Sequence, residues 1–221
     1  MAIPKQIFQT FKNKELPWLT RWHIKRMLRR NPDYQWHFYD DEKILQFFRE
    51  EMPAEYERAY RSLTIGAAKA DFFRYAILYK KGGIYLDIDC KVVSRFRDFL
   101  KPEDQAVISI ENNDHFYVQW ALFFEAGHPF LKKTLQVCLR NIQEHRFPHD
   151  VHKTTGPPAF TEGIHWALNE NPDTDYREMK TEYEGHVEDK YKLAKFFLYS
   201  NRKEHWNKKQ LSQPIIKPVE D

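Results

Sequence analysis

Cysteine is scarce in this chain of 221 residues: Cys90 and Cys138 are far apart and lack metal-ligand spacing. That excludes a disulfide-dense scaffold and a cysteine-rich zinc motif, and predicts free thiols in a reducing compartment. Cys90 reads as a small buried residue. Long apolar runs are also missing. No signal peptide and no stretch of about 18 apolar residues is visible, which predicts a cytoplasmic protein, at most peripheral to a membrane. No repeat and no linker composition interrupts the chain, so residues 1–221 are expected to form one domain. His115, His128 and His165 are not spaced as metal ligands, and no Ser/His/Asp set stands out. Net charge is only +3 and no nucleic-acid motif accompanies it, which argues against nucleic acid as a partner.

What is present supports a folded enzyme-sized core. Hydrophobic residues make up 42% of the chain and aromatic residues 16%. Aromatic side chains stack on sugars and bases, but most here must serve the interior. Positive charge is unevenly placed. Arg21, Lys25, Arg26, Arg29 and Arg30 share a predicted helix, and Arg202, Lys203, Lys208 and Lys209 cluster near the end. Such patches suit an anionic membrane surface and a lipid-linked acceptor; a solvated helix face and a loose tail are the plainer reading.

The most informative stretch runs from Ala67 to Asp89. Ala70, Phe73 and Ile77 recur at helical spacing, with Phe72, Ala76 and Tyr79 on the neighbouring stripe. So apolar a helix should be covered by protein on most sides. Asp71 and Arg74 stand three apart and share a face. Gly82-Gly83 supplies the left-handed residue that ends a helix. A short strand is expected next, with Ile84, Leu86 and Ile88 pointing one way and Tyr85, Asp87 and Asp89 the other.

Two adjacent carboxylates repel each other unless a divalent cation sits by them, and an all-oxygen donor set suits Mn²⁺ or Mg²⁺. A cation and an arginine together match the charge that grows on a departing nucleoside diphosphate. Each part alone is common: most Asp-x-Asp pairs are solvated turns, and most Asp/Arg pairs three apart are surface ion pairs. Their combination at the junction of an apolar helix and an apolar strand is far more specific.

At these residues the chain resembles glycosyltransferase family 32. The family's pattern, A-x-x-S-D-x-x-R-x-x-x-L-x-x-x-G-G-x-Y-x-D-x-D, is matched from Ala67 to Asp89, with Ala70 at the usual serine. Ile3-Pro4-Lys5-Gln6-Ile7-Phe8-Gln9-Thr10-Phe11-Lys12 is similar to the family's opening segment, with Phe8 and Phe11 in place of His and Trp. Asn31-Pro32-Asp33-Tyr34, Tyr39-Asp40-Asp41 and Thr155-Gly156-Pro157 with Phe160-Thr161 are similar to further family segments. The family spans capsular-polysaccharide enzymes and fungal-type mannosyltransferases, with clostridial glucosylating toxins as distant relatives.

The resemblance implies an α/β protein of the GT-A type, a nucleotide-sugar-binding fold with a mixed central sheet flanked by helices. It implies a retaining hexosyltransferase that uses a UDP- or GDP-sugar, Mn²⁺ or Mg²⁺ as cofactor, and a glycan or glycolipid acceptor. Asp89 would ligate the metal. Asp87 would reach ribose, sugar or, through water, the metal. Asp71 would accept from sugar hydroxyls, and Arg74 would contact the sugar or diphosphate. Gln9 and Thr10 lie where relatives meet the nucleotide. Tyr85 could support the sugar pocket or simply pack in the strand, and Trp120 and Trp206 are possible stacking platforms. Thr155 and Gly156 would lie near the acceptor or the donor's far rim, or form a structural turn. His205 stands about where the family's C-terminal Ser-Trp has its serine; it either completes the metal shell or is an ordinary surface residue. That departure leaves open a non-catalytic carbohydrate- or nucleotide-binding module on the same scaffold.

The expected elements follow from the same patterns. Strands are predicted at 6–11, 34–39, 107–111 and 118–124. Helices are predicted at 17–30, 41–50, 53–61, 130–144 and 161–169, with a loop from Pro148 to Pro158.

Overall fold

The computed structural model describes residues 2–12, 14–198 and 210–217. Strand β1 (Gln6–Thr10) leads into α1 (Trp18–Arg30), β2 (Gln35–Tyr39), α2 (Asp41–Glu51), α3 (Ala54–Ser62) and α4 (Gly66–Lys81). Then come β3 (Gly83–Leu86), β4 (Lys91–Val92), β5 (Ala106–Ser109), β6 (Ala121–Phe124) and α5 (Pro129–Gln143). Helices α6 (Val151–Thr155) and α7 (Pro157–Glu170), strands β7 (Arg177–Met179) and β8 (Val187–Glu188), and α8 (Ala194–Leu198) complete the order.

Six strands form a mixed sheet in the order β2-β1-β3-β6-β5-β7. Strand β1 pairs in parallel with β2 and β3, β5 in parallel with β7, and β6 runs against both β3 and β5. Strands β4 and β8 form a separate antiparallel ribbon. Side chains alternate across the pleat. Phe8, Tyr85, Ile108, Leu122 and Phe124 pack with helices α2 to α7. Ile7, Ile84, Leu86, Val107 and Phe123 pack on the other face with Ile24 and Met27 of α1 and with Tyr183 and Val187.

The sheet's direction explains where a site can form. Chain leaves β1, β3, β5 and β7 at one edge and enters β6 there. Asp87, Glu111 and Glu182 follow β3, β5 and β7, and Gln119 and Trp120 precede β6. Ligands of open α/β sheets bind at such carboxyl ends.

Helix α4 is the core's inner helix. Nine of its residues are buried, from Ala68 through Leu78. It stops because Gly82 takes φ +64° and returns its N–H to the Leu78 carbonyl at 2.8 Å. Gly83 follows at φ +107°, and a Cβ there would stand 2.8 Å from the Gln6 carbonyl oxygen of β1. Only glycine lets α4 turn this tightly into a central strand. Gly83→Ala is expected to cost roughly 3 kcal/mol from backbone strain and overpacking together. Urea melts check this: an unchanged midpoint contradicts the role given to the turn.

Three expectations are corrected. Strand β3 ends at Leu86, so the carboxylates do not continue its alternation. The Cys90 N–H closes on the Asp87 carbonyl at 3.0 Å, making a turn of Asp87-Ile88-Asp89-Cys90. The segment 148–158 is not a loop. Asp150 caps α6 by accepting from the Lys153 N–H, and Pro157 opens α7, a position where proline's missing donor costs nothing. Strand β6 is shorter than predicted and starts at Ala121, which frees Gln119 and Trp120 from the ladder. Asp40 caps α2, accepting from the Lys43 N–H.

Candidate active site

Arg74 is the centre of the site. It is 3% exposed on the largely buried helix α4. Its Nη2 lies 2.9 Å from Asp87 Oδ1 and 3.2 Å from Asp71 Oδ1. Nη1 donates to the Gln119 carbonyl at 2.7 Å, and the guanidinium lies 4.7 Å from the Tyr85 ring centroid. Burial disfavours its charge, but Asp87 and Tyr85, with Asp71, more than offset that and hold Arg74 firmly protonated. A buried ion triad of this kind earns little net stability, yet loses much if one member goes.

Asp71 backs Arg74 from the interior. It is 4% exposed, and Thr155 Oγ1 donates to its Oδ2 at 3.0 Å. Burial raises its carboxyl to about 7 against the pull of Arg74. Thr155 also accepts, through its carbonyl, from the Tyr75 hydroxyl at 3.0 Å. Thr155 thus lies behind Asp71 in the protein interior, and Gly156 caps α6 and opens α7.

Asp87 is the junction between interior and cleft. Its side chain keeps 30% exposure while Oδ1 takes Arg74 and, at 3.2 Å, the Tyr85 hydroxyl. Burial raises its pKa against Arg74. Asp89 is 2% exposed; burial and the nearby Asp87 charge raise it to about 7. Lys190 answers this charge. Burial pulls it down, but Asp189, Asp89 and Asp87 hold it above an ordinary lysine.

A cavity of about 470 Å³ opens beside Asp87. Glu111, Gln119, Trp120 and Glu182 line it from the sheet edge, His152 and Pro157 from α6 and α7, and Asp189 and Lys190 from beyond β8. Glu182, Tyr183 and Glu184 all adopt left-handed backbone, at φ 48°, 54° and 54°. Tyr183 imposes it: the ring is fully buried, its hydroxyl donates to Ala121 O at 2.7 Å, and its N–H donates to Ser109 Oγ at 2.9 Å. The turn so held presents Glu182 to the cavity.

Sequence reading located Asp71, Arg74, Tyr85, Asp87 and Asp89, and the fold brings all five together. Gln9 and Thr10 do end β1 at the right edge, but Gln9 is 2% exposed. It accepts from Trp36 Nε1 at 3.0 Å and donates to the Asp87 carbonyl at 3.2 Å, so it braces the carboxylate turn from behind. Thr10 donates to the Tyr39 carbonyl. Trp120, 8% exposed, lines the cavity. His205 and Trp206 lie outside the described residues. His128 is buried, caps α5 and is lowered to about 4 by burial; it is a structural histidine. Both cysteines are free and buried. Glu111, Gln119, His152, Glu182, Asp189 and Lys190 were not foreseen: no spacing relates them, and only the closed sheet edge assembles them.

The donor chemistry fits a hard divalent cation. Burial first, and the neighbouring Asp87 charge second, raise Asp89 to about 7, and a cation beside the two carboxylates would relieve their repulsion. Among the described residues no group of three or more His, Cys, Asp or Glu side chains converges as a ready metal cage. A cation held by one or two carboxylates and completed by substrate phosphates needs none.

Comparison with known proteins agrees with this geometry. Residues 18–108 match the family model described as glycosyltransferase sugar-binding region containing DXD motif. The chain is 32% identical over 179 residues to inositol phosphoceramide mannosyltransferase 3 of Schizosaccharomyces pombe, covering 79% of this chain and 48% of that protein. It is 30% identical over 203 residues to the same organism's initiation-specific alpha-1,6-mannosyltransferase, covering 76% and 49%. The chain therefore spans about half the length of these relatives. Among solved structures, the PaToxG glycosyltransferase superposes with a TM-score of 0.59 at 20% identity, over 96% of this chain and 79% of that one. The ligand-free glycosyltransferase domain of the YGT toxin gives 0.56 at 10% identity, over 81% and 80%. These likenesses identify the fold as GT-A type. With the Asp87-Ile88-Asp89 turn inside the matched region, the chain belongs to the family of glycosyltransferases with a DXD sugar-binding region, glycosyltransferase family 32.

Proposed function

We propose that this protein is a metal-dependent, retaining glycosyltransferase that moves a hexose from a UDP- or GDP-sugar to a glycan or lipid-linked acceptor. One observation carries the reading: a buried guanidinium is tied to Asp71 and Asp87, Asp89 stands two residues on, and Asp87 lines a cavity of about 470 Å³. The names of the relatives, both mannosyltransferases, favour a mannosyl donor.

Asp89, with Asp87, would hold Mn²⁺ or Mg²⁺; when bound, the cation supplies Lewis-acid stabilisation of the leaving diphosphate. The chain's own residues do the rest. Arg74 is a fixed positive charge under Asp87, set in a low-dielectric interior where its field is weakly screened. It requires no reorganisation as negative charge builds on the leaving group. Asp71 and Tyr85 keep it in place. Direct acceptance of a sugar hydroxyl by Asp71 requires the Gln119 side chain to yield, so as the structure stands its role is positional. Gln9 fixes the carboxylate turn from its backbone side. Trp120 offers an apolar wall to a sugar ring, and the carboxylates of Glu111 and Glu182 accept from hydroxyls. No carboxylate of the cavity is distinguished as a nucleophile, so retention by front-face displacement is the mechanism proposed.

The test is release of nucleoside diphosphate from GDP-mannose, UDP-glucose and related donors, with and without Mn²⁺. One donor is expected to turn over well above background, and only with the cation. Nucleotide binding without any turnover favours the non-catalytic module instead. No binding of any nucleotide contradicts both.

A further inference from the structure

Helix α1 carries a surface that the catalytic reading does not use. Its inner face buries Thr20, Ile24 and Met27. Its outer face exposes Trp18, Arg21, Lys25 and Arg29, spaced three or four apart along one stripe, with Trp22 beside Arg21. Over Trp18–Arg30 there is no acidic residue. Trp18 is 62% and Trp22 42% exposed, and the Arg26 guanidinium lies 5.3 Å from the Trp22 ring centroid.

The apolar part extends onto the segment around α8. Trp18 meets Phe197 edge-on at 6.0 Å, and Phe197 meets Phe196 at 5.6 Å. Phe196 is 74% exposed and Leu193 66%. Leu193 is held outward on left-handed backbone at φ 70°. Large apolar side chains standing this far into water, contiguous and mixed with cations, mark a contact surface.

We propose that this face of α1 and α8 docks the protein on an anionic bilayer surface. Indole and phenyl rings gain by entering the headgroup boundary, and Arg and Lys gain from anionic lipid phosphates; this helix interleaves the two kinds on one side. Arg21, Lys25, Arg26 and Arg29 make no ion pair with another described residue. Among the described residues no helix is long and apolar enough to cross a membrane. The contact proposed is therefore interfacial.

Tyr191 joins the docking face to the active site. Tyr191 lies buried between them, its hydroxyl 2.7 Å from Thr20 Oγ1 and its ring stacked on His23 at 4.2 Å. Its N–H donates to the Asp89 carbonyl at 2.9 Å. A surface-bound enzyme thus holds its carboxylate turn at a fixed place relative to the bilayer. That a lipid-linked acceptor would be served there rests on the proposed function; the docking does not.

Co-sedimentation with large vesicles tests the docking without any donor. Binding is expected to vesicles of phosphatidylcholine with roughly 30% phosphatidylserine, not to phosphatidylcholine alone, and to weaken as salt rises. Arg21→Gln/Lys25→Gln/Arg29→Gln should lower partitioning roughly a hundredfold, at about fivefold per cation. Trp18→Ser/Trp22→Ser/Phe196→Ser should lower it at least as much. Nucleoside diphosphate release from a soluble donor should be unchanged in both variants, which separates this proposal from the catalytic one. Equal binding to neutral vesicles, or none to either, overturns it. So does self-association in light scattering that the aromatic substitutions abolish, since a second copy would then be the occupant.

Discussion

Asp89→Asn is expected to remove metal-dependent transfer, with turnover falling at least about 10²–10³-fold, while the fold becomes more stable, not less. The two effects have one cause. Asp89 is buried beside Asp87 and its carboxyl is raised to about 7. Since its folded pKa lies above its unfolded one, the proton is held more tightly in the fold. The contribution to stability is complete below the unfolded value near 3.8 and is lost as pH rises to about 7. Above that pH the ionised carboxylate costs the metal-free fold on the order of a few kcal/mol. Asparagine avoids that cost. Thermal melts at pH 8 should show the variant melting higher than the parent, and the gap should close as pH falls towards 4. Loss of turnover with a lower melting point at every pH would mean that Asp89 is a structural residue. The proton also competes with the cation, so Mn²⁺ dependence should shift to higher metal concentration below about pH 7, by up to tenfold per pH unit.

Arg74 gives the second large effect, and here stability and activity fall together. Arg74→Ala leaves Asp71 buried and Asp87 half-exposed with their main counter-charge gone, and is expected to cost about 3–5 kcal/mol. The milder Arg74→Lys keeps the positive charge and should fold. One ammonium cannot reproduce a guanidinium that contacts Asp71, Asp87 and the Gln119 carbonyl at once. Turnover should still drop about 10²–10³-fold with the donor's KM much less changed, because the interaction matters most when charge develops. Urea melts and steady-state kinetics on the two variants check this. An Arg74→Lys protein with parental turnover would show that only bulk charge is required there.

The parts of this site that are legible in the sequence are those encoded over short spans. Asp71 and Arg74 share a helix face by spacing alone, Gly82-Gly83 announces the stop, and the apolar residues Ile84, Leu86 and Ile88 fall in one core layer as alternation predicts. The turn at Asp87 is less legible, because nothing in Asp-Ile-Asp-Cys distinguishes one more strand residue from the hydrogen bond between Cys90 and the Asp87 carbonyl. Pro148 to Pro158 reads as a run of breakers, yet Pro157 begins a helix, since proline is tolerated where no donor is needed. The position of Gln9 follows from β1, but the direction of its amide is decided by Trp36 on the next strand. Glu111 and Gln119 come from the β5–β6 connection, Glu182 and Lys190 from two others, and only the order of the sheet brings them to one cavity.

The central claim is that the turn after β3 grips a divalent cation together with a nucleoside diphosphate. Electron paramagnetic resonance of Mn²⁺ reads this directly, since free aqueous Mn²⁺ gives a six-line signal that binding suppresses. Titrating the protein into Mn²⁺ with GDP or UDP should remove that signal beyond what nucleotide alone removes, and Asp89→Asn should restore it. A signal untouched by the protein with either nucleotide, or suppressed equally by Asp89→Asn, would contradict the account.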